Sequence, residues 1–165
     1  YKKVVKIFPS GSHFVEVGAF LGKSAVFMAV EIINSGKDIK FDCIDHWQGS
    51  KEHESKDEIN LENLYKDFLK NIEPVKEIIT PVRMNSIDAS KLYKPNSIDF
   101  VFIDASHDEM SVKADLTHWM PRLKENGIIA GDDADNEGVA YDVTRFFNTN
   151  KLDIINRQWL VDLSQ

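Results

Sequence analysis

Ile98-Asp-Phe-Val-Phe-Ile103 runs straight into Asp104-Ala-Ser-His107-Asp108, a short apolar run that ends in acid. A second run ends the same way: Gly127-Ile-Ile-Ala-Gly131 leads into Asp132-Asp133-Ala-Asp135. Runs this short and this apolar read as buried parallel strands. If both lie in one sheet, their carboxyl ends meet at one edge, where open α/β folds bind ligands. Three carboxylates and a histidine then converge, the composition of a hard-metal site with a base beside it.

Outward from these runs, short apolar stretches alternate with helical patterns, which argues for βα units and a parallel sheet. Strands are predicted at His13–Val17, Lys40–Ile44, Glu77–Arg83, Ile98–Ile103 and Gly127–Ala130. Pro81 places the third at an edge. The tail, Asp153–Leu163, supplies one strand or a hairpin. Lys23–Ile33 is apolar nearly all round, so a well-buried helix is expected. Leu61, Leu64, Tyr65, Phe68, Leu69 and Ile72 keep the rhythm of one helix face. Val112, Leu116, Trp119 and Met120 do the same until Pro121 stops the helix. Val139, Val143, Phe146 and Phe147 mark another. The segment 48–60 is polar and follows the second strand; it is either a solvated connection or a lid over a site.

Composition narrows the function. The chain has 165 residues, 42% hydrophobic and 28% charged, and carries a net charge of −7. That fits one globular α/β domain spanning 1–165, a doubly wound sheet with helices on both faces. The acidic balance argues against nucleic acid as a partner. No apolar stretch reaches the roughly 20 residues of a membrane span. Tyr1-Lys-Lys-Val-Val-Lys6 does not read as a secretory signal, so a cytoplasmic location is expected. Cys43 is the one cysteine, with a small buried hydrophobe as its default reading.

Glu16-Val-Gly18-Ala-Phe-Leu-Gly22-Lys-Ser24 lies between the first strand and the first long helix. Its G-x-x-x-G spacing is neither the dinucleotide fingerprint nor a P-loop. Alone it could be an ordinary strand-to-helix turn. Glu16, however, is placed to accept a hydrogen bond from a ligand ammonium group. Asp45 ends the next strand, where an acid can hold a ribose diol. A phosphate would be poorly served by these two carboxylates, and a cationic nucleoside well served.

In order and spacing, the pieces from Phe14 to Phe147 resemble class I S-adenosylmethionine-dependent methyltransferases. The resemblance implies a Rossmann-like, mostly parallel sheet of six to seven strands, the last antiparallel. It implies that Glu16, Gly18, Gly22 and Ser24 hold the methionine end of the cofactor and Asp45 the ribose. His46 and Trp47 would flank the adenine, and Ser86, in Asn85-Ser86-Ile-Asp88, would contact it. The Asp-Ala-Ser-His and Gly-Asp-Asp pieces further resemble small metal-dependent O-methyltransferases grouped with sugar- and antibiotic-modifying enzymes. That likeness implies a divalent cation, Mg²⁺ or another, on Asp104, Asp132 and Asp133. It implies that Asp104 also borders the cofactor and that His107 is the base.

Plainer readings stand beside these. Asp104 and the Asp132–Asp133 pair could cap helices, His107 could be a solvated loop residue, and Trp47 could be packing. Asp108, Asp135 and Glu137 could support the site or do nothing. His13 and His118 read as structural. The short C-terminal part leads us to expect a reduced final antiparallel pair. The leading expectation is Mg²⁺-assisted transfer of methyl to a hydroxyl of a small molecule, a sugar or polyol. The alternatives are a metal-independent methyltransferase and a non-catalytic S-adenosylmethionine-binding module. A homo-oligomer is compatible with all three.

Overall fold

The computed structural model describes residues 1–49, 61–106, 108–134, 137–147, 152–155 and 157–163. The elements are α1 (Lys2–Ile7), β1 (His13–Val17), α2 (Lys23–Ser35), β2 (Lys40–Asp45), α3 (Leu64–Ile72), β3 (Ile79–Arg83) and α4 (Ser86–Ser90). They continue with β4 (Ile98–Ile103), α5 (Glu109–Trp119), β5 (Leu123–Gly131), α6 (Glu137–Phe147), β6 (Leu152–Ile155) and β7 (Gln158–Asp162). Seven strands form one sheet in the order β3-β2-β1-β4-β5-β7-β6. The first five in that order run parallel, while β7 is antiparallel to both β5 and β6.

β1 and β4 sit at the centre because they are apolar toward both faces. Phe14, Phe100 and Phe102 join one core layer with α1, α2 and α3 residues. Val15, Val17, Val101 and Ile103 join the other, with residues of α5 and α6. Strand order changes direction between β1 and β4, since β2 and β3 lie to one side and β5 to the other. That switch point opens the ligand crevice. Pro81 lies in edge strand β3, where its missing N–H leaves no gap in a ladder.

Several elements differ from the sequence reading. β5 begins at Leu123 and takes in Lys124-Glu125-Asn126. This polar stretch lies at the sheet's amino edge, where Lys124 Nζ reaches Asp99 at 2.9 Å. α2 is not buried all round: Ala25, Met28, Ala29 and Ile32 face the core, but Phe27 is 57% exposed and Ile33 50%. One helix face meets the sheet, its flanks touch α1 and α3, and the outer side faces solvent. The final antiparallel pair forms as two short strands, with Trp159 buried opposite Gly131. Cys43 is fully buried, and no described helix is long and apolar enough to cross a membrane.

Candidate active site

A cavity of about 880 Å³ opens over the carboxyl ends of β1, β2, β4 and β5. Gly18 forms its floor. Its φ of +93° is a left-handed conformation, and a Cβ there would stand 2.0 Å from the Asp104 carbonyl oxygen. Only glycine lets the loop rest on the end of β4. Gly22 also has positive φ, but a Cβ there would press on Phe68 and Ile72 at 3.0 Å. It serves the packing of α2 on α3 and does not line the cavity.

Ser24, in the first turn of α2, lines the cavity and donates its hydroxyl proton to Glu16 Oε1. Glu16 itself lies behind Ser24, 1% exposed, on the α2 face of β1. Among the described residues its Oε2 has no hydrogen-bond partner. Burial pushes its pKa up to about 8, against the Ser24 hydrogen bond, and the charges of Asp104 and Asp45 add to the rise. An unpaired, buried carboxylate oxygen of this kind suits a cationic ligand at the cavity wall.

Asp45 ties two loops together. Its Oδ2 accepts from Phe20 N–H at 2.9 Å and its Oδ1 from Trp47 N–H at 2.6 Å. Phe20 and Trp47 both hold left-handed backbones, with φ of 45° and 51°, which costs energy for non-glycine residues. Trp47 Nε1 closes the link by donating to Phe20 O at 2.8 Å. Among the described residues each Asp45 oxygen accepts one hydrogen bond, which leaves it a lone pair to offer a diol. His46 lines the cavity. Trp47 does not; it is buried against Tyr65 and Phe68, with ring centroids at 4.8 and 4.5 Å.

Ser86 opens α4 and lines the cavity. Its hydroxyl donates to Asp115 Oδ1 and accepts from Trp119 Nε1 at 2.8 Å. Asp88 faces solvent in an ion pair with Lys91.

At the other end of the cavity, Ile103 and Gly131 are paired across β4 and β5, so Asp104 and Asp132 follow them side by side. Both line the cavity. Burial pushes the Asp132 pKa up; the Asp133 N–H opposes this, and the charges of Asp104 and Asp133 add to it. Asp133 does not line the cavity. It has φ of 58°, and its Oδ1 accepts from Arg157 Nη2. Among the described residues no three His, Cys, Asp or Glu side chains form a metal-holding group. His107 and Asp135 lie outside the described residues.

The neighbouring polar groups have local roles. Asp108 caps α5 by accepting from Ser111 N–H at 3.1 Å. His13 Nε2 meets Asp42 Oδ2 at 2.7 Å at the start of β1. His118 Nδ1 meets the Ala114 carbonyl oxygen at 2.8 Å within α5.

Among the residues at or beside the site that escaped sequence reading, three bear on its chemistry or its walls. Tyr1 lines the cavity with its ring edge-on to Phe102 at 5.0 Å, and no motif marks it. Arg157 comes from the turn before β7 and is marked by nothing but its charge. Asp115 did leave a signal. It stands three residues after Val112 and four before Trp119, on the apolar stripe of α5, where a carboxyl group is out of place.

Comparison with known proteins accords with this geometry. A family of methyltransferase domains matches residues 15–134. Among curated proteins, none matches the sequence. Cofactor-bound Rv0187 from MTB superposes with a TM-score of 0.67 at 15% identity, over 99% of this chain and 79% of its own. The O-methyltransferase NovP gives 0.66 at 15% identity, over 99% and 78%. The O-methyltransferase from Bacillus cereus, solved with SAH, gives 0.59 at 16% identity, over 91% and 73%. At these identities the superpositions speak for the fold, whereas the family match covers most of the chain and takes in Glu16, Gly18, Asp45, Ser86, Asp104 and Asp132. The chain therefore belongs to the class I S-adenosylmethionine-dependent methyltransferases.

Proposed function

We propose that this methyltransferase methylates a hydroxyl of a small molecule of the sugar or polyol type, assisted by a divalent cation such as Mg²⁺. The observation that carries the reading is the placement of Asp104 and Asp132 side by side on the cavity wall, beyond the glycine loop from Asp45. Mg²⁺ is commonly held by one or two carboxylates and several waters, and these two oxygen donors fit that need. The hydroxyl acceptor is supported by the O-methyltransferases among the structural relatives.

S-adenosylmethionine supplies a methyl group activated on a sulfonium. When bound, the cation lowers the pKa of an acceptor hydroxyl. The chain supplies placement. Ser24, backed by Glu16, orients the ammonium end of the cofactor, and Asp45 holds the ribose. Asp104 borders both halves of the cavity, so it sets the distance between the two reactants, the main lever in a displacement of this kind. His107, three residues after Asp104, takes the hydroxyl proton; a histidine can do so near neutral pH.

In a product-release assay over a panel of sugars and polyols, EDTA should abolish turnover and Mg²⁺ restore it. Asp104→Ala and Asp132→Ala should each lower turnover at least about a hundredfold. His107→Ala should lower turnover far more than cofactor affinity. Activity untouched by EDTA sinks the metal, and equal losses of turnover and affinity in the histidine variant sink the base. One observation favours a metal-independent variant of the reaction: Arg157 already holds Asp133 away from the cavity.

A further inference from the structure

Asp115 is 4% exposed, yet it lines the cavity, and none of the roles above uses it. The polarity of its hydrogen bonds can be worked out. An indole N–H can only donate, so the Ser86 oxygen accepts from Trp119. The single Ser86 proton is then free for Asp115, and Oδ1 accepts it. Oδ2 forms no hydrogen bond among the described residues. The cavity is thus offered a carboxylate oxygen whose partner on the protein side is already fixed.

Its place along the site follows from the sheet. Reading the carboxyl edge in strand order gives Ser86 after β3, Asp45 on β2, Gly18 after β1, Asp104 after β4 and Asp132 after β5. With the ribose at Asp45 and the sulfonium toward Asp104, the base of the nucleoside falls on the Ser86 side. Asp115 stands behind Ser86 there, on α5. Burial pushes its pKa up to about 6, against the Ser86 hydrogen bond, so a donor from the ligand would relieve a costly buried charge.

We propose that Asp115 reads the exocyclic amino group of the cofactor's purine, its free oxygen accepting one N–H from that group. Asp115 is then a specificity determinant, selecting a 6-amino over a 6-oxo purine. The inference rests on the cofactor orientation proposed above.

The test is a calorimetric titration of the wild-type protein, Asp115→Asn and Ser86→Ala with S-adenosylhomocysteine and S-inosylhomocysteine. Wild type should prefer the adenosyl compound by about tenfold or more. In Asp115→Asn, the Asn oxygen can keep the Ser86 bond, which turns its NH₂ toward the cavity. That group donates, so the preference should vanish or invert toward the 6-oxo base. Ser86→Ala frees the carboxylate to turn and should narrow the preference without inverting it. A carboxylate that merely anchors α4 would weaken both ligands alike in Asp115→Asn and leave their ratio unchanged, and that result overturns the proposal. Equal affinities in wild type overturn it without any variant having to fold. Failure of S-adenosylhomocysteine to bind wild type removes the cofactor reading itself, and this inference with it.

Discussion

Glu16 is a carboxyl group shut away from water, with one oxygen bonded to Ser24 and the other without a hydrogen bond among the described residues. Burial raises its pKa from 4.5 to about 8, so at pH 7 it is mostly protonated. A cation placed against Ser24 stabilises the ionised form and pulls the pKa back down. Cofactor binding should therefore expel about one proton at pH 7 and much less at pH 9, where Glu16 is already ionised. Calorimetry in two buffers of different ionisation enthalpy, on EDTA-treated protein, measures this directly. Glu16→Gln should abolish the release and weaken cofactor binding at least about tenfold. The same shift fixes the sign for stability. The folded state holds the proton more tightly than the unfolded chain, so this contribution is full below pH 4.5 and is lost as pH rises through about 8. The Gln variant should lack that slope in its melting temperature; a retained slope would mean that another group is responsible.

The elements differ in how plainly the sequence announced them. β1 and β4 were legible to the residue because central strands are short and largely apolar, and because β1 stops at a glycine loop and β4 at an acid. α1 and α4 were not, because helices of six and five residues are too short to show a repeat. The site divides the same way. Glu16, Asp45, Asp104 and Asp132 lie in or just beyond strands, where chain order alone predicts convergence. Tyr1, Asp115 and Arg157 arrive from the N-cap of α1, a face of α5 and a turn, and their approach depends on packing that no local pattern encodes. The β6–β7 turn carries the clearest consequence. It brings Arg157 against Asp133, the second member of an acidic pair read as a unit. Removing that guanidinium takes away a competing partner and a positive charge near Asp132 at once. Both changes act in one direction, so Arg157→Ala should bind Mg²⁺ several-fold more tightly than wild type by calorimetry. Weaker binding in the variant would show that Arg157 builds the cation site, and a complete absence of Mg²⁺ binding in both proteins would favour the metal-independent reaction.

At the scale of the whole molecule, the sheet order gathers negative charge at one mouth of a chain that already carries −7. Asp104 and Asp45 raise the pKa of Glu16, and Asp104 raises that of Asp132, so these groups act as one field and not as separate acids. The cofactor before reaction carries a sulfonium charge; the thioether left after methyl transfer has lost it, and the two are otherwise nearly the same shape. A negative cavity therefore holds the methyl donor more tightly than the spent cofactor, which favours release of product after each turnover. The difference is electrostatic, so salt should shrink it. Between about 0.1 M and about 1 M salt the screening length falls from about 10 Å to about 3 Å. Over that range, affinity for S-adenosylmethionine should drop several-fold and affinity for S-adenosylhomocysteine much less. Titrations of both ligands across the salt series, with divalent ions chelated, give the two slopes. Parallel slopes would mean that the carboxylates act only through short-range contacts, whereas a steeper slope for the sulfonium assigns the discrimination to the field that the sheet assembles.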